Sequence, residues 1–221
     1  MDRMIVKVCG MREGNNIRAL EMLDIDWLGF IFYPSSPRYV YRNGKPNDIS
    51  SCTKTKAGVF VNAQPKEILR EAAEYQLDYL QLHGDESPDD CRRLQEEGYR
   101  VIKAFSVSSG EDLRQTSAYE LYVDFFLFDT KNDKYGGSGQ RFDWSALEAY
   151  QGCVPFLLSG GIGHENMQDL LAFSHPLIAG VDLNSRFELS PALKDSDMIE
   201  RFVGQLNSSG WRHKTMLNIR N

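Results

Sequence analysis

A cysteine closes the first β-branched run of the chain, Ile5-Val6-Lys7-Val8-Cys9, and Gly10 follows it. Apolar residues running into a glycine read as a buried strand and the turn after it. A thiol at that junction lies on the strand edge where parallel α/β folds place their chemistry, and as a thiolate it is a base or nucleophile. Free cysteine is also a small, readily buried hydrophobe, so position alone leaves a core role open. Asp129 follows Phe125-Phe126-Leu127-Phe128. Burial raises a carboxyl emerging from such a run toward a usable acid near neutral pH. A loop or capping aspartate is the alternative, and Lys131 nearby would hold it ionised. Arg38 is preset by Pro37 and can grip a carboxylate through two bonds, although a solvated loop arginine is the ordinary case. His83, in Gln81-Leu82-His83-Gly84, reads either as a base or as a group that hydrogen-bonds a neighbour.

Two turns of small residues point to phosphate: Ser159-Gly160-Gly161-Ile162-Gly163 and Gly180-Val181-Asp182-Leu183-Asn184-Ser185. Gly160 and Gly161 let the backbone approach a ligand, and a helix start beyond them would offer unpaired N–H groups. A tight turn without a ligand explains one such pair equally well. A second small polar turn favours phosphate, because the loops after strands seven and eight of an α/β barrel are a frequent phosphate site.

The elements that must position these groups follow from short apolar runs beginning roughly 20–30 residues apart: Ile5–Cys9, Trp27–Phe32, Ala57–Val61, Tyr79–Leu82, Val101–Phe105, Phe125–Phe128, Pro155–Leu158 and Ile178–Leu183. Near-continuous apolar runs suit parallel strands buried on both faces. Helical spacing fills the gaps at Ile68, Leu69, Ala72 and Ala73 after Pro65. It recurs after the Ser87-Pro88 start, with Gly98 as the stop, and again from Met167 and from Met198. Tyr41–Cys52 lacks that pattern and predicts a long loop or a short irregular helix. Eight strands alternating with helices predict a single-domain (β/α)8 barrel over residues 1–207, with 208–221 as a surface extension. An open doubly wound sheet shares the pattern, but no dinucleotide fingerprint or Walker loop is present. No internal repeat stands out.

With 221 residues, 42% of them hydrophobic, the chain can bury a full core. A net charge of −6 with scattered Lys and Arg argues against nucleic acid as a partner. The four cysteines, Cys9, Cys52, Cys91 and Cys153, form no close pair of the kind zinc sites use and no small secreted framework. No apolar run reaches membrane-spanning length, and the N-terminus shows no signal-peptide pattern. The expectation is a cytoplasmic protein without membrane contact.

Taken in order, several stretches closely resemble phosphoribosylanthranilate isomerase. They are Lys7-Val8-Cys9-Gly10-Met11, the run from Gly29 through Pro37-Arg38-Tyr39-Val40, Gln81-Leu82-His83-Gly84, Phe128-Asp129-Thr130, Gly136-Gly137-Ser138-Gly139 before Phe142-Asp143-Trp144, Leu158-Ser159-Gly160-Gly161 and Gly180-Val181-Asp182. The ordered set covers nearly the whole chain. The resemblance implies a (β/α)8 barrel and an Amadori rearrangement of N-(5-phosphoribosyl)anthranilate in tryptophan biosynthesis. It implies no metal or organic cofactor and, in most members, a monomer. By position Cys9 matches the family's general base, Asp129 its general acid, and Arg38 the arginine that engages the anthranilate. His83 joins Arg38 as a candidate substrate contact. Gly160, Gly161, Asp182, Asn184 and Ser185 fall on the phosphate-binding loops, and Gly136–Gly139 on the mobile loop after strand six. One departure is Arg186, where the family has glycine; an arginine still suits a phosphate. A phosphosugar isomerase of histidine synthesis would resemble a two-aspartate site, unlike Cys9. A barrel that only binds phosphorylated ligands needs neither Cys9 nor Asp129.

Overall fold

The computed structural model describes residues 3–46, 48–130 and 144–213. Eight strands form a closed, all-parallel barrel: β1 (Ile5–Cys9), β2 (Trp27–Ile31), β3 (Thr55–Phe60), β4 (Tyr79–Leu82), β5 (Arg100–Val107), β6 (Phe125–Thr130), β7 (Phe156–Ser159) and β8 (Ile178–Leu183). The expected (β/α)8 architecture is present. Asp129 lies within β6 rather than after it.

The apolar runs are continuous because each strand is buried twice. Val6, Val8, Leu28, Phe30, Phe126, Phe128 and Leu158 face the outer layer of helices, while Trp27, Tyr79, Ile102, Leu127 and Leu157 fill the barrel. Trp27 stacks on Tyr79 at 4.4 Å between ring centroids and meets the edge of Phe125 at 5.4 Å, so aromatics close the floor. Counting by two from floor to mouth along inward positions gives Ile5-Lys7-Cys9, Tyr79-Gln81-His83 and Phe125-Leu127-Asp129. The inward face thus changes from apolar to polar toward the C-terminal strand ends.

A recurrence missing from the sequence reading appears at the floor. Asp26, Asp78 and Asp124 each follow an aliphatic residue and precede the aromatic Trp27, Tyr79 or Phe125. Their carboxylates accept the N–H of Val6 (2.8 Å), Lys56 (2.7 Å) and Val101 (2.9 Å), each on the preceding strand. Each also donates its own N–H back to the carbonyl of that same residue.

The outer layer holds α1 (Gly14–Glu21), α2 (Pro65–Tyr75), α3 (Pro88–Glu96), α4 (Met167–Ala172) and α5 (Ser196–Ser208). The Ser87 hydroxyl and the Asp90 carboxylate cap α3 reciprocally, and Gly98 takes φ +90° just beyond it. Tyr41–Cys52, expected as loop or irregular helix, begins in a 3₁₀ turn, Val40–Asn43. Similar turns replace helices at Asp112–Ala118 and Ser145–Ala149. After β8 a small antiparallel hairpin intervenes, β9 (Glu188–Ser190) with β10 (Leu193–Lys194). Among the described residues no helix is long and apolar enough to cross a membrane.

The expectation of a surface extension from Ser208 is corrected over its described part. Trp211 and Arg212 are fully buried at the barrel floor. Arg212 donates to the carbonyls of Met4 (3.2 Å) and Asp24 (2.6 Å) and ion-pairs with Asp24 and Asp26. Burial holds its guanidinium below the ordinary arginine value. Polar and basic composition hid this, because the partners of Arg212 lie near the other end of the chain. Arg212→Ala removes one side of a buried charge pair, a loss of about 3 kcal/mol. Thermal melting should drop by roughly 6–12 °C; an unchanged Tm would show that the C-terminal segment is not fastened there.

Candidate active site

Cys9 is 3% exposed at the mouth end of β1. Its space is made by Gly29, its register partner on β2, where a Cβ would stand 2.7 Å from the sulfur. Gly10 then turns the chain at φ +83°, and a Cβ there would meet Arg38 Cδ at 2.6 Å. These two glycines let the thiol and the guanidinium share one corner of the mouth.

Below the thiol, Lys7 Nζ bonds Asp182 Oδ1 at 2.8 Å, with the lysine fully buried. Asp182 Oδ2 also accepts from the Ser159 hydroxyl at 3.5 Å. Burial works against the Lys7 ammonium, but Asp182 and Cys9 outweigh it and its pKa is raised. For Cys9, burial dominates and pushes the thiol up, with Asp182 adding to it; Lys7 and Lys194 pull the other way. The cations around the thiol are present, and burial still wins.

Arg38 donates through Nε (2.8 Å) and Nη2 (2.5 Å) to the two oxygens of Glu188, a bidentate pair that leaves the Nη1 hydrogens for a ligand. Glu188 also takes Lys194 Nζ at 2.7 Å. Burial would raise the Glu188 carboxyl, but Arg38 and Lys194 hold it below the usual range. Burial lowers the Lys194 ammonium, with Glu188 opposing.

Across the mouth, Asp129 pairs in register with Ser106 on β5 and Ser159 on β7. His83 Nε2 lies 3.6 Å from Asp129 Oδ2, and its Nδ1 lies 2.8 Å from Gln81 Nε2. A Gln81 donor makes Nδ1 an acceptor and leaves the proton on Nε2, facing Asp129.

Gly160 and Gly161 have φ +87° and +65°, as a close backbone turn requires. A helix start with free N–H groups does not follow directly. A 3₁₀ turn, His164–Asn166, comes first, and Asn166 takes the Gly163 N–H (2.9 Å) while donating to the Gly161 carbonyl (2.9 Å). The Gly161 and Ile162 N–H groups make no backbone hydrogen bond among the described residues. Asp182 is corrected as a phosphate contact: its carboxylate is buried on Lys7, and its charge would repel a phosphate. Asn184 Oδ1 accepts from Lys194 at 2.8 Å, which leaves its amide hydrogens for a ligand. Ser185 opens an exposed 3₁₀ turn, and Arg186 on that turn pairs with Glu165 (2.9 Å) across the two loops. Gly136–Gly139 and Lys131 lie outside the described residues.

Sequence reasoning missed Lys7, Gly29, Glu188 and Lys194 as parts of this corner. Lys7 was accessible, since it shares the inward phase of Cys9 two residues on. Glu188 and Lys194 come from a hairpin some 180 residues away from Cys9 and carry no local signal.

The family model described as N-(5'phosphoribosyl)anthranilate (PRA) isomerase matches residues 6–205. The N-(5'-phosphoribosyl)anthranilate isomerase of Parabacteroides distasonis is 52% identical over 206 residues, covering 92% of this chain and 93% of that one. Among solved structures, phosphoribosyl anthranilate isomerase from Thermotoga maritima superposes with a TM-score of 0.77 at 33% identity, covering 93% of this chain and 99% of its own. A further crystal structure of phosphoribosyl anthranilate isomerase, in complex with reduced 1-(o-carboxyphenylamino)-1-deoxyribulose 5-phosphate, reaches 0.76 at 30% identity, covering 93% and 99%.

Because burial raises the Cys9 thiol, its labelling by iodoacetamide should be slow at pH 7. The rate should climb about tenfold per pH unit toward and beyond the ordinary value of 9.0. Mass spectrometry of the Cys9 peptide checks this, and a rate already flat at pH 7 would show a standing thiolate.

Proposed function

The chain belongs to the N-(5'-phosphoribosyl)anthranilate isomerase family, and we propose on that premise that Cys9 is the base and Asp129 the acid of its reaction. It is an isomerase of tryptophan biosynthesis and acts on a phosphorylated small molecule. The family match over residues 6–205 sets aside the phosphosugar isomerase of histidine synthesis and the non-catalytic binder. The observation that carries the role assignment is an opposition across the mouth. Cys9 and Asp129 are each the third inward residue of their strand, one on β1 and the other on β6.

Asp129 protonates the furanose ring oxygen; the C1–O bond breaks and its electron pair goes to that oxygen, while the anthranilate nitrogen forms an iminium at C1. The iminium acidifies the C2 hydrogen. Its positive charge also favours the Cys9 thiolate, offsetting the burial that disfavours it. The thiolate takes the C2 proton to give an enolamine; the thiol then returns a proton to C1 while the C2 hydroxyl passes its own proton to the Asp129 carboxylate, which gives the 1-deoxyribulose ketone. The reactive form carries Cys9 as thiolate and Asp129 as acid; each gives and takes one proton and ends as it began, so the sequence balances without an oxidant or reductant.

Arg38 holds the anthranilate carboxylate through its remaining Nη hydrogens, with Glu188 fixing the plane of the guanidinium. His83 lines the acid side beside Asp129 and contacts the substrate there. The phosphate lies on the Gly160-Gly161 turn and the Asn184-Ser185 turn, held by the Gly161 and Ile162 N–H groups, the Asn184 amide and the Ser185 hydroxyl. The groups named all converge on the mouth of one barrel, which supports a monomer as the catalytic unit. Its place is the cytoplasm, where a buried thiol stays reduced, and neither nucleic acid nor membrane takes part.

Proton transfer by a positioned group contributes about 10²–10⁴-fold. Cys9→Ala and Asp129→Ala should each lower kcat by at least about a hundredfold with the melting temperature kept, followed by loss of substrate fluorescence. Turnover near wild type in either variant removes that residue from its role. Arg38→Ala should raise KM about tenfold with a smaller change in kcat, and an unchanged KM would rule out the carboxylate contact.

A further inference from the structure

Lys194 connects the Asn184-Ser185 turn to the corner that holds Cys9. Its backbone is clamped to α1 at two points: Lys194 N–H donates to Asn16 Oδ1 (2.8 Å), and Asn16 Nδ2 donates to the Lys194 carbonyl (2.9 Å). From that anchor the fully buried side chain reaches Glu188 Oε1 at 2.7 Å and Asn184 Oδ1 at 2.8 Å. Glu188 in turn grips Arg38. The hairpin β9–β10 therefore delivers one ammonium that braces the carboxylate side and the phosphate side together.

Charge accounting shows what the ammonium adds. The charges that act on Cys9 are those of Lys7 from β1, Asp182 from β8 and Lys194 from the hairpin, with Arg38 of the loop after β2 at the same corner. Lys7 is neutralised by Asp182, and Arg38 by Glu188. Lys194 is the surplus positive charge. With Cys9 as thiolate the cluster is neutral, whereas without Lys194 it would carry a net negative charge in a buried place. A well-packed apolar side chain would hold the hairpin with less desolvation, so what the ammonium adds lies in the charges it faces.

We propose that Lys194 is a positioning residue for this isomerisation: it supplies the charge that lets Cys9 ionise and the strut that aims Arg38 and Asn184 at the substrate. The proposal rests on Cys9 as base and Arg38 as carboxylate contact. Its test reads the charge around Cys9 whether or not Cys9 is the base, since labelling needs no turnover.

Full-length Lys194→Met and Lys194→Arg are compared with wild type for melting temperature, kcat, KM and the pH profile of Cys9 labelling by iodoacetamide. Lys194→Met should label about tenfold more slowly at pH 8, equivalent to one unit in the profile, and raise KM several-fold. Lys194→Arg should restore labelling to within about threefold of wild type. A folded Lys194→Met with wild-type labelling and KM overturns the proposal. Glu188→Gln adds positive charge to the same cluster and should speed Cys9 labelling. If Lys194→Met does not fold, unchanged or slower labelling in Glu188→Gln overturns the proposal instead. Normal turnover in Cys9→Ala would remove the base assignment, and the labelling result would stand apart from it.

Discussion

Closing the barrel brings β8 against β1, and at that seam the register partners Lys7 and Asp182 meet as a buried ion pair at 2.8 Å. Separating such a pair leaves a charge stranded in a medium that solvates it poorly, at a cost of about 3–5 kcal/mol. The pair therefore disfavours any slip of the last strand against the first. A one-residue slip would turn every inward side chain outward. The inward phase of Cys9, two residues beyond Lys7, follows from that constraint, as does the level at which Asp129 stands across the mouth.

The strands were legible because burial on both faces leaves apolar runs that few other structures need. Reading the run ends was enough to bring Cys9, Arg38, His83 and Asp129 to one rim. What sequence could not show was which of these groups is already spoken for. Asp182 looks like part of a phosphate turn, yet its carboxylate faces inward to Lys7. Arg186 looks like a phosphate ligand, yet it pairs with Glu165. Arg38 looks wholly free for a substrate carboxylate, yet Glu188 holds it from the far end of the chain. Each partner is distant in sequence, and no local pattern reports a contact of that kind. The buried Trp211 and Arg212 were missed for the same reason.

The mouth balances two opposed needs. As the proposed base, the thiol gains selectivity from shelter from water, and shelter makes the thiolate costly. Three cations set against two carboxylates around Cys9 offset part of that cost without exposing the sulfur. In the proposed reaction the remaining part is met when the ring opens and an iminium forms. On the proposed assignment the thiolate is then most populated when a C2 proton is ready to leave, and least populated when only bystanders are present.

The aspartates at the floor have a different consequence. Asp26, Asp78 and Asp124 each stitch an even strand to the odd strand before it, over only some 20 residues of chain. Three pairs of strands can thus find their register from nearby contacts, while the seam between β8 and β1 must wait for the two ends of the barrel to meet. The floor is modular in assembly, and it is built from residues that take no part in the chemistry above. Such a separation lets the rim change without unsettling how the chain finds its fold. Evolution of a new substrate on this scaffold would be a matter of loops, played out over a base that matures on its own.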